Sequence, residues 1–307
     1  MRSRFRAREE TAMKVFVTGS TGFVGNHVLQ ALLDGGHQVR ALVRQRSEYK
    51  LKRPEDVEIF YGTVTSAADL VQGMQGCEAV IHLVGIIRAL PSKGITFERL
   101  HTEATANVIA AAKETGVSQM VHMSALGARE NGPTPYFRTK FAAEELVRQS
   151  GLRYTILRPS LIFGRGGEAV KMFAGMVKTF VVPIVGDGNY RFQPVNVTTV
   201  AQGFARALEV EAAQGRTLDV GGPDPVTFNE IMDILARVMG KTIVKIHMPV
   251  LPIKAATSVL EYFPGYPLTN DQLTMLLAGS TCDEKPFYEI FGLTPVALEQ
   301  TLREAIW

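Results

Sequence analysis

Cysteine is nearly missing from this chain: its 307 residues include two, Cys77 and Cys282. Two thiols can build neither a disulfide framework nor a four-ligand zinc site, and they fit a reduced, cytoplasmic setting. Long apolar runs are missing too. A membrane-spanning helix needs about 20 mostly apolar residues in a row, and the most apolar stretch, near Met176 to Val185, is broken by Lys178 and Pro183. No His/Asp/Glu cluster has metal-ligand spacing, so no metal is expected. One-sided charge is also scarce. The formal net charge is +3, and residues 1–12 account for two of those charges, with Arg2, Arg4, Arg6 and Arg8 against Glu9 and Glu10. What remains is too balanced for a nucleic-acid footprint. With 46% hydrophobic and 21% charged residues, whole-chain disorder, collagen and coiled coil are excluded. Length alone suggests two units, or one large α/β domain with a lobe.

Residues 1–12 lack the apolar run of a secretory signal. Met13 directly precedes an apolar strand and reads as a natural start, with residues 1–12 as a flexible extension. The alternating arginines suit a transit peptide; Glu9 and Glu10 argue for a frayed tail instead.

The first half alternates short β-branched runs with helical patterns. Strands are predicted at Val15–Thr18, Gln38–Val43, Val57–Tyr61, Ala79–Leu83, Met120–Met123 and Tyr154–Leu157, with helices at 23–34, 66–73, 96–115 and 137–150. Parallel strands need long crossovers, so this alternation predicts a doubly wound parallel sheet of Rossmann type. After Pro159 the rhythm changes. A turn at Gly164–Gly167, a helix at 168–180 and a loop at Pro183–Asn189 are expected, then a strand at Phe192–Val195, a helix at 199–210 and a strand at Thr217–Val220. Beyond Gly221 the pattern is mostly helical. The expected division is a dinucleotide-binding core from 13–160 and 192–221, and a smaller, largely C-terminal substrate lobe from 161–191 and 222–307.

The strongest local signal lies in the run Thr18, Gly19, Ser20, Thr21, Gly22, Phe23, Val24 and Gly25, with a strand before it and a helix after it. Gly19 allows the tight turn, Gly22 lets backbone approach a pyrophosphate, and Gly25 lets the helix pack on the sheet. The helix N-terminus then offers unpaired amides and partial positive charge to phosphates. Cofactor choice should be written after the second strand, where a carboxylate would accept from the ribose hydroxyl of NAD. That place carries Arg44, followed by Arg46 and Ser47. Guanidinium groups suit a 2′-phosphate, so NADP is expected with NAD as the alternative; a solvated loop edge would explain the same arginines.

Tyr136 and Lys140 are four apart at the start of a helix, which puts them on one face. A phenol titrates near 10, and a nearby ammonium would lower that value, making a plausible proton-transfer pair beside a hydride carrier. His82 and His122 fall in strands and read as hydrogen-bonded core histidines. Tyr262, Phe263, Tyr266, Phe287, Tyr288 and Phe291 are expected to pack the lobe.

These motifs together resemble the extended or atypical short-chain dehydrogenases/reductases. The resemblance runs through Thr18–Gly25, Ala79–Ile87, Asn107–Val117, Met123–Ser124, Tyr136–Lys140, Arg158–Gly164, Pro194–Ala201 and Gly221–Glu230. Ala79–Ile86 is similar to the subgroup holding the accessory subunit of respiratory complex I and bacterial nucleoside-diphosphate-sugar epimerase-like proteins. The resemblance implies Tyr136 as acid/base, and Lys140 as the residue that lowers its pKa and holds the nicotinamide ribose. It implies Leu83, Val84, Gly85 and Met123 as further cofactor contacts, with Pro159, Ser160 and Ile162 on the nicotinamide side. Arg191 would reach a substrate phosphate. Three positions depart from the pattern. Ser124 is followed by Ala125 rather than a second hydroxyl, His101 stands where the family often has asparagine, and Thr63 where it often has an adenine-contacting aspartate.

Two functions therefore stand open. One is an NADP(H)-dependent oxidoreductase or epimerase-like enzyme acting on a small carbonyl or nucleotide-sugar substrate, with Tyr136 giving the proton and Ser124 orienting the oxygen. The other is a cofactor-binding accessory protein without turnover, as a homodimer or within a larger complex.

Overall fold

A computed structural model describes residues 12–261, 263, 266 and 268–306. The arginine-rich extension, Ala12 excepted, and Tyr262 lie outside the described residues.

Seven parallel strands form one sheet: β1 (Lys14–Thr18), β2 (Gln38–Val43), β3 (Glu58–Tyr61), β4 (Ala79–His82), β5 (Gln119–Met123), β6 (Arg153–Pro159) and β11 (Arg216–Val220). The spatial order is β11-β6-β5-β4-β1-β2-β3, so the winding reverses between β1 and β4. A reversal of this kind opens a crevice at the carboxyl ends of the strands, where ligands bind in doubly wound folds.

Both faces of the sheet are covered, which is why its strands read as near-continuous apolar runs. One face buries Val15, Val17, Ile81 and Leu157 beneath α1 (Phe23–Asp34), α6 (Val197–Arg206) and α10 (Lys285–Phe291). The other buries Phe16, Val80, Met120 and Ile156 beneath α2 (Ala67–Met74), α3 (Ala104–Thr115) and α4 (Pro135–Arg148). Fully buried rings such as Phe16 and Phe204 each contribute about 2–3 kcal/mol.

A third cluster makes the lobe. It joins α5 (Glu168–Lys178), α7 (Phe228–Val238) and α11 (Leu298–Ile306) through Phe173, Phe228, Ile231 and Leu302. The remaining lobe helices are α8 (Val250–Leu260) and α9 (Asn270–Ala278). Three two-stranded sheets accompany them: β7 (Ile162–Phe163) with β10 (Val195–Asn196), β9 (Arg191–Phe192) with β12 (Val226–Thr227), and β8 (Val181–Val185) with β13 (Val244–Met248).

Several expectations need correcting. The Pro183–Asn189 loop is partly strand: β8 runs through Pro183, at an edge where a missing amide is tolerated. Its partner β13 lies in the stretch expected to be helical. Phe192–Val195 is two strand fragments in separate sheets, not one strand. The helix expected over 96–115 opens with a π-helical turn, Glu98–Glu103, before α3. Phe287, Tyr288 and Phe291 pack beneath the main sheet with Phe204 and Leu218 rather than in the lobe.

No helix among the described residues is long and apolar enough to cross a membrane.

Candidate functional site

The crevice begins at the glycine run. Gly19 takes φ +75°, and a Cβ there would press on the backbone of Leu83 and Val84 at 3.0–3.1 Å. A Cβ on Gly25 would lie 2.2 Å from the Gly19 carbonyl oxygen, so α1 can sit this close only as glycine. Gly22 caps α1 with no side-chain hydrogen bond and no acid in the first turn. The result is a cradle of main-chain amides open to an anion, which a nucleotide pyrophosphate fits.

Side chains in this run have mostly structural duties. Thr18 is buried with its hydroxyl 2.6 Å from His82 Nδ1. The Ser20 hydroxyl donates to the Leu42 carbonyl at 3.0 Å, pinning the loop to β2. Phe23 leans on the Gly164–Gly167 turn, whose Gly167 has no room for a Cβ beside the ring. Val24 belongs to the core. Any phosphate recognition here falls to the backbone and to the half-buried Thr21.

At the end of β2, Arg44 and Arg46 are exposed and carry no ion pair or side-chain hydrogen bond among the described residues, and Arg46 takes φ +61°. Ser47 turns the chain through a backbone bond to Arg44. After β3, the position expected to have lost its carboxylate has one nearby. Asp69, from α2, accepts the Thr63 amide at 2.9 Å and packs against Gly62. Sequence reading missed it because the acid comes from the helix, six residues later.

Across the crevice, Thr134 accepts the Phe137 amide to cap α4, and Pro135 occupies the first helical turn; such a cap contributes about 1 kcal/mol. Tyr136 and Lys140 follow, both buried. Lys140 Nζ donates to the Met123 carbonyl at 2.9 Å, at the end of β5, and lies against Gly85, where a Cβ would come within 2.9 Å of it. One turn further, the fully buried Glu144 receives Arg158 at 2.6–2.7 Å and Arg148 at 2.7 Å. That cluster locks α4 to β6, and with it the register of Lys140. Burial lowers the Lys140 pKa to about 8, with Glu144 opposing the fall.

Tyr136 contradicts one expectation. Burial raises its pKa to about 12 instead of lowering it. The ring stands edge-on to Phe97, His101 and Phe137, and the neighbouring Ala125 adds a methyl where the family pattern has a hydroxyl. Nothing anionic or cationic in this cluster favours the phenolate.

His101 is buried, and its ring is pushed down to about 2 by burial, with the Lys140 ammonium adding to the fall. The Ile86 amide donates to Nε2 at 3.1 Å, so the proton sits on Nδ1, which faces Thr139 Oγ1 at 2.9 Å. The π-helical turn carries this ring between the loop after β4 and α4. His82 and His122 are neighbours in register on β4 and β5, with rings stacked 5.5 Å apart. Burial lowers His82 to about 3 and His122 well below its ordinary value. The expectation of hydrogen-bonded histidines fails for His122, neither of whose ring nitrogens has a partner among the described residues. Ser124 Oγ is likewise buried without a partner.

On the far wall, Pro159 closes β6 by accepting the Leu126 amide. The Ser160 hydroxyl is engaged by Ser280 Oγ at 2.6 Å, so it ties down the C-terminal segment. Ile162 is half-buried in β7. Arg191 is exposed on β9, with its charge acting on Glu230. A shallow groove lined by Ala89, Phe97, Pro135, Arg138 and Thr139 borders Tyr136.

A family model described as NAD(P)H-binding matches residues 19–174. The mitochondrial NADH dehydrogenase [ubiquinone] 1 alpha subcomplex subunit 9 of Arabidopsis thaliana is 30% identical over 78% of this chain, which spans 62% of that relative's length. A ceramide reductase of Caulobacter vibrioides is 29% identical over 83% of this chain and 79% of its own. Among solved structures, a UDP-glucose 4-epimerase from Thermotoga maritima superposes with a TM-score of 0.77 at 22% identity, covering 95% of this chain and 97% of its own, a likeness of fold.

Proposed function

This chain belongs to the NAD(P)H-binding family, within the atypical short-chain dehydrogenases/reductases, and on that footing we propose that it is an NADP(H)-preferring oxidoreductase or epimerase-like enzyme. Its substrate would be a small carbonyl compound or a nucleotide-sugar. The observation carrying this reading is Lys140: a buried ammonium fastened between the end of β5 and Gly85, one turn from Tyr136.

A bound nicotinamide supplies or takes the hydride. The chain's own part is to hold a proton and a geometry. Tyr136 would give its phenolic proton to the substrate oxygen, and Ser124, its hydroxyl unpartnered, would orient that oxygen. Lys140 would hold the ribose and bring Tyr136 down from its raised value. Arg44 and Arg46, exposed and without an ion pair among the described residues, would grip a 2′-phosphate, with NAD as the weaker ligand. Arg191 stands as the candidate for a substrate phosphate. Residues 13–160 and 192–221 would form the cofactor core with α10 added to it, and the rest the lobe. A cytoplasmic setting fits the two thiols.

A second reading has its own observation. Ala125, Phe97 and Phe137 surround Tyr136 with apolar groups, and the phenol is raised to about 12. That surrounding suits a cofactor-stabilised accessory protein of a larger complex, the plant relative being by name a subunit of NADH dehydrogenase [ubiquinone], or a homodimer without turnover.

One experiment separates them. Tyr136→Phe should leave the NADPH-induced rise in Tm unchanged and lower kcat against a panel of carbonyls and nucleotide-sugars by at least about a thousandfold. Full activity in the variant would overturn the enzyme mechanism. No turnover by the parent protein, together with a stoichiometric partner, would install the accessory role.

A further inference from the structure

The β8–β13 ribbon has one face that the protein leaves uncovered. Side chains alternate along a strand, so Val182 and Ile184 are fully buried in the lobe cluster while Val181 is 41% exposed. Register sets Val244 beside Val181 and Ile246 beside Pro183; Val244 is 46% and Ile246 50% exposed. Phe180 opens the ribbon at φ +66°, its ring 53% exposed. A bulky residue held left-handed costs about 1–2 kcal/mol, and the Val244 amide fixes it there by donating to the Phe180 carbonyl at 2.8 Å. The backbone thus bears strain to keep an aromatic ring in water.

Helix α8 follows β13 after Pro249. Its sequence, VLPIKAATSVL, has one charged residue, yet only Thr257 is buried, and Leu251 is 80% exposed. A helix this apolar is normally covered.

Charge distinguishes this surface from an ordinary sticky patch. Residues 169–186 and 236–260, which include the ribbon and α8, contain Lys171, Lys178, Arg237, Lys241, Lys245 and Lys254; Glu168, Asp187 and Glu261 bound these two stretches, and Asp233 reaches Lys245. Lys178, Lys241 and Lys254 have no ion pair among the described residues, whereas the other three do. An anionic surface would meet Lys178, Lys241 and Lys254 directly.

The geometry points to a peripheral membrane-docking face: the ribbon's outer side and α8 rest on an anionic phospholipid surface. Phe180, Val244, Ile246 and Leu251 enter the headgroup boundary, and the free lysines meet lipid phosphates. Arg88, in the loop after β4, donates to the carbonyls of Glu261 and Tyr266 just beyond α8. The docking element is therefore fastened to the loop that borders the candidate site.

Co-sedimentation of the full chain with vesicles tests this directly. Binding to phosphatidylglycerol-containing vesicles should exceed binding to pure phosphatidylcholine at least about tenfold, and high salt should weaken it. Phe180→Gly, which suits the local φ, should keep or raise Tm yet lower vesicle affinity roughly tenfold. A combined Lys178→Glu, Lys241→Glu, Lys254→Glu variant should lower it at least about a hundredfold. Absence of binding to anionic vesicles, equal binding to both lipids, or unchanged binding by Phe180→Gly would overturn the proposal. So would light scattering that shows a dimer dissolved by Phe180→Gly, which would give the face to a second copy.

Discussion

The glycine cradle and the lobe ribbon handle close packing in opposite ways. At the cradle, backbone meets backbone with no space to spare: a Cβ on Gly25 would reach 2.2 Å from a carbonyl oxygen. In the lobe, Gly175 sits in α5 with nothing within 4 Å of where a Cβ would go, and the ribbon beyond it displays apolar side chains. The contrast separates a surface shaped for one rigid group of known outline from a surface left open. The first tolerates no added atom. The second accepts changes that alter what it touches without unfolding it.

One substitution made at two places gives the largest contrast. Gly25→Ala should cost about 3 kcal/mol and abolish the Tm rise on adding NADPH, because the loop must move to admit the methyl. Gly175→Ala should instead stabilise by about 0.5–1 kcal/mol, since a helical glycine is replaced where there is room. Thermal melts of both, with and without cofactor, check the pair; equal effects would erase the comparison.

Charge at the cradle's rim comes next. Removing both guanidinium groups by Arg44→Ser with Arg46→Ser should weaken NADPH roughly 10- to 100-fold and leave NADH nearly unchanged. Calorimetric titration with each nucleotide measures this. Equal losses for both would make the arginines a general phosphate attraction and not a reader of the 2′ position.

Beneath the cradle, pH gives a smaller and finer test. His82, His101 and His122 are all held below their ordinary value of 6.5, chiefly by burial. The unfolded chain therefore binds more protons than the folded one once pH falls below about 6.5. Stability is fully present above that pH and is lost on acidification toward 3, with a limiting slope of roughly 4 kcal/mol per pH unit for three protons. His122→Leu should reduce the slope by about one third and raise stability at neutral pH by about 1 kcal/mol, since two unpartnered ring nitrogens disappear. Urea unfolding across pH 4–8 is the measurement; a destabilised variant would show that the ring is satisfied after all.

The same contrast explains what could be read from residues alone. The cradle is written locally: strand, three glycines and helix are contiguous, and the alternation of apolar runs carries the sheet order from β1 to β6. The Tyr136–Lys140 pair was visible for the same reason, being one turn of one helix. Asp69 was hidden because it reaches back six residues to the Thr63 amide. The β8–β13 pairing was hidden because its strands are about sixty residues apart and one contains proline, which local propensity reads as loop. The raised phenol of Tyr136 depends on Phe97, brought in from a different segment, and no spacing rule near Tyr136 mentions it. The C-terminal aromatics of α10 looked like lobe residues because chain order placed them there, whereas the exposed flank of β11 gave them an apolar surface to cover.

The π-helical turn at Glu98–Glu103 has a consequence for anyone comparing this chain with its relatives. A turn closed by i→i+5 bonds takes in one residue more than ordinary helical winding would. A relative that winds the same stretch regularly will therefore match this chain only with a one-residue gap there. The family's asparagine and this histidine should be compared by where their side chains arrive, against the amide of Ile86, and not by their rank in the column.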